Sequence, residues 1–283
     1  MTNFHKYLQL KIMGKDDDSV YIPRIWIITS IIISILITAT SLFGIFFEKT
    51  YSRETYAWAI QGIGQDYANL AVVVLLLIST YFVAKHSLRA YLIWLGSYIY
   101  LIYAFVIYAF AIHFQFLFLA YVAILGLSLY TFVGGLLTAD KERIKKSLRA
   151  NSKSQIVSVF LMVVGILFIL LWLSEIVPNL LADTVPRTLT DAGLLTNPVH
   201  VLDLSFVLPG MIIISVLLKR KNVIGCLMAV PFLVFVVTMG LGIIVMFILS
   251  ALEDLPYSLP AGILIGLIML AGTLLTYMFL KEV

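Results

Sequence analysis

His200 and Asp203 stand three residues apart, a spacing that lets both side chains project from one face of a helix. Four more polar residues lie in otherwise apolar surroundings: Asp66, His113, Gln115 and Glu175. Two kinds of chemistry suit this set. Two imidazoles and up to three carboxylates can hold a divalent cation such as Zn²⁺ or Mn²⁺, with His200, Asp203 and His113 as the candidate ligands. The same groups can relay protons, because imidazole titrates near neutral pH and a carboxylate can accept what it releases. A third reading is structural, in which these residues end helices where water begins. Asn197-Pro198, just ahead of His200, fits that reading as an ordinary turn and helix start. Pro209, Gly210 and Pro231 are candidate hinges, because proline removes a helix hydrogen bond and opens a kink.

Several chemistries are excluded. The sequence has no GxSxG, HExxH or Walker A motif, so ATP-driven transport by this chain alone is not expected. The last apolar stretch has no lysine before Lys281, so a retinal Schiff base is not supported. The single cysteine, Cys226, cannot form an intrachain disulfide, and there is no CxxC or His-rich tract. No organic cofactor is expected, and a divalent metal is the one cofactor the residues would suit.

These residues need a scaffold, and the composition specifies its solvent. Hydrophobic residues make up 62% of the 283 and charged residues 12%, and mean hydropathy is +1.06. That charge fraction is about half the usual soluble value. A water-soluble globular protein and a disordered chain are both excluded, leaving an all-α, polytopic transmembrane bundle. A span needs about 20 apolar residues to cross a roughly 30 Å core. Eight stretches qualify: 26–47, 67–84, 91–113, 116–137, 156–173, 201–218, 223–249 and 259–280. Between Arg89 and Asp140 no Asp, Glu, Lys or Arg occurs. As one helix that stretch would reach about 75 Å, so it must fold back, and the polar point His113-Phe114-Gln115 is the expected turn.

The basic residues fall sixteen on one side of such a bundle and three on the other. By the positive-inside rule both termini are expected in the cytoplasm, in a multi-pass protein of the cell membrane. Because the basic residues sort by side, the net charge of +4 is no sign of nucleic-acid binding. Residues 1–25 read as a cytoplasmic segment, in which Phe4, Leu8 and Ile12 beside lysines suggest a short interfacial helix or a solvated tail. Residues 26–283 read as one eight-helix domain with no signal-peptide cleavage site. The basic loop 141–153 fixes topology and is expected to attract anionic lipid headgroups.

The halves 26–137 and 156–280 share a layout. Each has a first span ending at Glu48 or Glu175, a long outer loop, and a second span opening near Asp66 or Asp203. A short basic turn and an apolar hairpin follow, which suggests a parallel 4+4 repeat. Counting up from the cytoplasmic lysines at 1.5 Å per residue puts Asp203 about 24 Å and Asp66 about 28 Å high. All six candidate residues then fall in one outer layer, with Asp203 deepest. The outer loops 51–64 and 178–198 could form a lid over it. Tyr100 and Tyr103 sit nearer mid-membrane and need hydrogen-bond partners, as helix packing or as cavity lining. The best functional fit is a small secondary transporter or permease for an ion or small solute. The alternatives are an intramembrane enzyme acting on a lipid or lipid-linked group, or a scaffold or sensory subunit without chemistry.

Overall fold

The computed structural model describes residues 20–138, 148 and 151–283. The expected interfacial helix around Phe4, Leu8 and Ile12, and every basic residue of the loop 141–153 but Lys153, lie outside the described residues. Among the described residues the fold is all-helical, with eight helices long and apolar enough to cross a membrane. They are α1 (Arg24–Phe46), α2 (Tyr56–Ala84), α3 (Leu88–Ala111), α4 (Phe118–Thr138), α5 (Ser154–Leu181), α7 (Pro198–Lys219), α8 (Val223–Leu252) and α9 (Leu259–Lys281). A six-residue helix, α6 (Arg187–Ala192), lies between α5 and α7.

Local chemistry sets the ends of these helices. Thr55, Ser87, Asn197, Asn222 and Ser258 cap α2, α3, α7, α8 and α9 by accepting backbone N–H bonds. The α2–α3 and α7–α8 reversals use one device. His86 and Lys221 take positive φ of 69° and 53°. In each, the next residue's N–H closes back five residues, Ser87 to Phe82 and Asn222 to Leu217. This is the Schellman closure of a helix C-terminus, here made without glycine.

Packing places α3 and α8 at the centre. α3 is the most enclosed of the eight helices, and it packs on α2, α4 and α8. Gly96 makes the α3–α8 approach possible, since a Cβ there would sit 2.8 Å from the Pro231 carbonyl oxygen. Ser30 of α1 ties down α3: Trp94 Nε1 and Tyr98 Oη donate to Ser30 Oγ at 3.0 and 2.7 Å. In the other half, Ser158 of α5 and Ser215 of α7 each donate to the other's carbonyl, at 2.8 and 2.7 Å.

The ends of the bundle also sort. The Val20 N–H donates to the His86 carbonyl at 2.9 Å, and Asn151 Nδ2 donates to the Phe279 carbonyl at 2.8 Å. At the opposite end Tyr56 Oη donates to Glu253.

Several boundaries differ from the sequence expectation. α2 begins at Tyr56, so most of the expected loop 51–64 is helix and forms no lid. α5 continues through Pro178 to Leu181, so Glu175 lies inside a helix instead of ending it. Asp66 likewise lies ten residues into α2 and does not open it. The cause is length. α2, α5 and α8 have 29, 28 and 30 residues, or about 42–45 Å. They exceed a roughly 30 Å core and must tilt or project from it. The α3–α4 turn falls at His113–Gln115 as expected.

Candidate functional site

Two buried carboxylates define the candidate site, each held by aromatic donors. Asp66 on α2 is 2% exposed. Its Oδ2 accepts from Tyr51 Oη at 2.5 Å, and its Oδ1 accepts from Tyr108 Oη on α3 at 2.8 Å. Two amides extend the set. Asn69 Nδ2 donates to Tyr108 Oη at 3.2 Å, Tyr100 Oη donates to Asn69 Oδ1 at 2.8 Å, and Gln65 Nε2 donates to Tyr100 Oη at 2.5 Å. Gln65, Asp66 and Asn69 lie within one turn of α2, which is why a single helix can aim all three at α3. α1 closes the near side with Gly44 and Ser41. A Cβ on Gly44 would overlap Asp66 Oδ2 and sit 2.7 Å from Asp66 Cγ.

Asp203 on α7 is 8% exposed. Its Oδ2 accepts from Trp172 Nε1 of α5 at 2.8 Å, and the Tyr103 hydroxyl of α3 faces it. His200 packs on the Trp172 ring with centroids 4.6 Å apart. Its Nε2 stands 3.8 Å from Glu175 Oε2. Glu175 in turn accepts from Thr188 of α6 at 2.5 Å. A line of contacts thus runs from the half-buried Glu175 through His200 and Trp172 to the covered Asp203.

The backbone changes register at this carboxylate. Asp203–Val207 is π-helical, and the Leu208 N–H reaches back five residues to the Asp203 carbonyl. The next residue, Pro209, has no N–H to offer, so the wide turn ends where the proline would otherwise break the ladder. Gly210 follows inside the α-helical continuation, Leu208–Lys219. Pro231 instead sits in the uninterrupted α8.

His113 is exposed, with its backbone N–H and Nδ1 both on the Glu54 carboxylate, at 2.7 and 2.9 Å. Gln115 serves the turn: its Oε1 accepts from the Leu117 N–H at 2.7 Å and its Nε2 donates to Tyr121 Oη at 3.1 Å.

The six expected residues therefore sort into separate groups. Glu175, His200 and Asp203 lie along one line of contacts, with Trp172 between the last two. Asp66 belongs to a tyrosine cluster, and His113 belongs to the α3–α4 turn, held by Glu54. Tyr103 and Tyr108 are five residues apart, or about 140° around α3, so the two carboxylates are met from different sides of that helix. Among the described residues no three His, Cys, Asp or Glu side chains gather as a metal would require. Among them, too, neither buried aspartate has a cationic partner. Sequence reasoning missed Tyr51, Tyr108, Asn69, Trp172 and Glu54. Only Asn69 carried a signal, as an amide one turn after Asp66 in an apolar span. Comparison with protein-family models, curated proteins and solved structures finds no match.

Proposed function

We propose that the protein is a small secondary transporter or permease for an ion or small solute, with α7 as its working element. Asp203 is the ion- or solute-binding carboxylate in this reading. His200 and Glu175 connect it to the outer end, and Pro209-Gly210 with the π-helical turn gives α7 a place to bend. The observation that carries the proposal is a covered aspartate at the first residue of a π-helical turn. Ionisable groups inside a bilayer are expensive and tend to mark ion or substrate paths, and π-turns often sit at functional sites.

The accompanying topology is part of the proposal: both termini in the cytoplasm, in a cell membrane. The skew of basic residues supports it, as does the placing of Val20, His86, Asn151 and Phe279 at one end. The matched α2–α3 and α7–α8 turns support a parallel 4+4 arrangement. The basic loop 141–153 would then face anionic headgroups.

The test is flux in proteoliposomes under an imposed pH gradient, with a panel of monovalent cations, amino acids and sugars. Asp203→Asn should abolish the flux that the parent shows. Asp203→Glu should retain part of it with a displaced pH profile. Equal flux and equal pH profile in Asp203→Asn would remove Asp203 from the mechanism.

A further inference from the structure

The Asp66 cluster has a direction. Gln65 donates to Tyr100, and Tyr100 donates to Asn69. Asn69 donates to Tyr108, and Tyr108 donates to Asp66. Tyr51 donates to the other oxygen. Every bond in the chain points at the carboxylate, which is its terminal acceptor. The titratable groups that face it are all phenols: Tyr51 from the outer turn, Tyr100 and Tyr108 from α3, and Tyr121 from α4. α1 presents Ser41 and Gly44 there, and α8 presents Gly242 beside Gln65 and Met246 beside Gly64. None of these is a cation that could balance an ionised Asp66.

One polar atom in the cluster is left over. Ser41 Oγ is fully buried and has no hydrogen-bond partner, and it faces the Asp66 carboxyl group. A hydroxyl can act in either sense. It can donate to an ionised carboxylate, or it can accept from a carboxylic acid. Both protonation states of Asp66 therefore have a partner waiting. A metal cation has no equivalent place, because both carboxylate oxygens already take phenol hydrogens and α1 lies so close that Gly44 has no room for a methyl group.

We propose that Asp66, with Ser41 as its switching partner and Tyr51 and Tyr108 as fixed donors, is a buried proton-binding site separate from the Asp203 site on α7. A proton from water at the outer end forms an O–H bond on Asp66, taking the group from −1 to neutral. Ser41 then turns from donor to acceptor. Release reverses both changes. Tyr51 is the entry side, because it follows the outer turn Glu48–Thr50 and neighbours the exposed Ser52. The proposal needs no transported solute, so a failure to find flux would leave it standing.

The test is infrared difference spectroscopy of the full chain in lipid, between acid and alkaline buffer. The parent should show a protonated-carboxyl C=O band that disappears in Asp66→Asn and persists in Asp203→Asn. In Ser41→Ala the band should remain but move to higher frequency, because the acid has lost its acceptor. Exchanging choline for Na⁺ at fixed pH should change nothing. An Asp66→Asn spectrum that superimposes on the parent would overturn the site. So would displacement of the band by Na⁺. Where Asp66→Asn does not fold, Ser41→Ala decides: a band at the parent frequency refutes the proposal.

Discussion

Replacing Gly44 with alanine tests the Asp66 cluster through a residue that carries no chemistry of its own. The added Cβ would overlap Asp66 Oδ2, and it would sit 2.7 Å from Asp66 Cγ and 3.0 Å from Tyr51 Oη. None of these atoms is the loose end of a long side chain. Asp66 is held by two phenols, and Tyr51 is 5% exposed. Either α1 moves away from α2 or the carboxylate leaves at least one tyrosine. Overpacking of a close-packed core typically costs about 1–3 kcal/mol. Loss of a hydrogen bond to a charged group costs roughly another 1.5–3 kcal/mol. Replacing a glycine inside a helix returns about 0.5–1 kcal/mol. The net expectation is a loss of about 2–5 kcal/mol, or a fall in Tm of roughly 5–15 °C for a chain this size. Gly126→Ala is the control, because a Cβ there meets nothing within 4 Å. The assay is thermal unfolding in detergent followed with a thiol-reactive fluorophore. Cys226 is the only cysteine and is 1% exposed, so it labels when the bundle opens. Equal Tm for Gly44→Ala and Gly126→Ala would refute the packing argument and, with it, the enclosure of Asp66.

Ser30→Ala should destabilise by about 1–3 kcal/mol, because it leaves Trp94 Nε1 and Tyr98 Oη buried without their acceptor. The same melt should show Ser30→Thr, which keeps the hydroxyl, nearer the parent, and an unchanged Tm in Ser30→Ala would discount the α1–α3 tie. At the other end of the chain, hydrogen bonds from Ser152 and the nearby Lys153 hold the Glu282 carboxyl below the usual glutamate range. A depressed folded-state value means that the contact contributes above the unfolded glutamate range and is lost as pH falls through the folded value. Hydrogen exchange at the Ser152 amide should accelerate relative to its intrinsic rate on acidification in the parent. In Glu282→Gln that acceleration should be absent, and identical profiles would exclude Glu282 as the acid-sensitive partner.

Much of the fold was legible in the sequence because a bilayer leaves few options for a chain this apolar. The α3–α4 turn was found with no glycine or proline to mark it. A charge-free run of that length cannot cross once, and His113–Gln115 is its polar point. The N-terminal reach of α2 was illegible for the opposite reason. Tyr56 to Gly64 mixes polar and apolar residues and reads as a loop beside the more apolar stretch that follows. Yet Ile60 and Gly64 are buried against the bundle, and Thr55 caps the helix. For the site, a carboxylate in an apolar run is visible, so Asp66 and Asp203 stood out. Their partners did not. Tyr100, Tyr103 and Tyr108 look alike in one dimension, and only the roll of α3 decides which reaches which aspartate. The π-turn at Asp203 has no sequence signature beyond the proline that follows it.

That shared helix gives the two carboxylates a physical connection. Tyr103 faces Asp203, Tyr108 donates to Asp66, and both ride on α3, the most enclosed element of the bundle. Their Cα atoms are about 7.5 Å apart along the axis, within one rigid stretch. A roll of α3 that tightens one contact must shift the other, because close-packed interiors transmit small displacements instead of absorbing them. Coupling of this kind is reciprocal, whichever site is perturbed first. A double-mutant cycle reads it directly. Asp66→Asn and Asp203→Asn should be non-additive in unfolding free energy by more than about 0.5 kcal/mol, the margin within which independent sites usually add. Adding Tyr103→Phe should shrink that difference, because the second aspartate then loses its contact with α3. Additivity within that margin would mean that α3 separates the two sites without linking them.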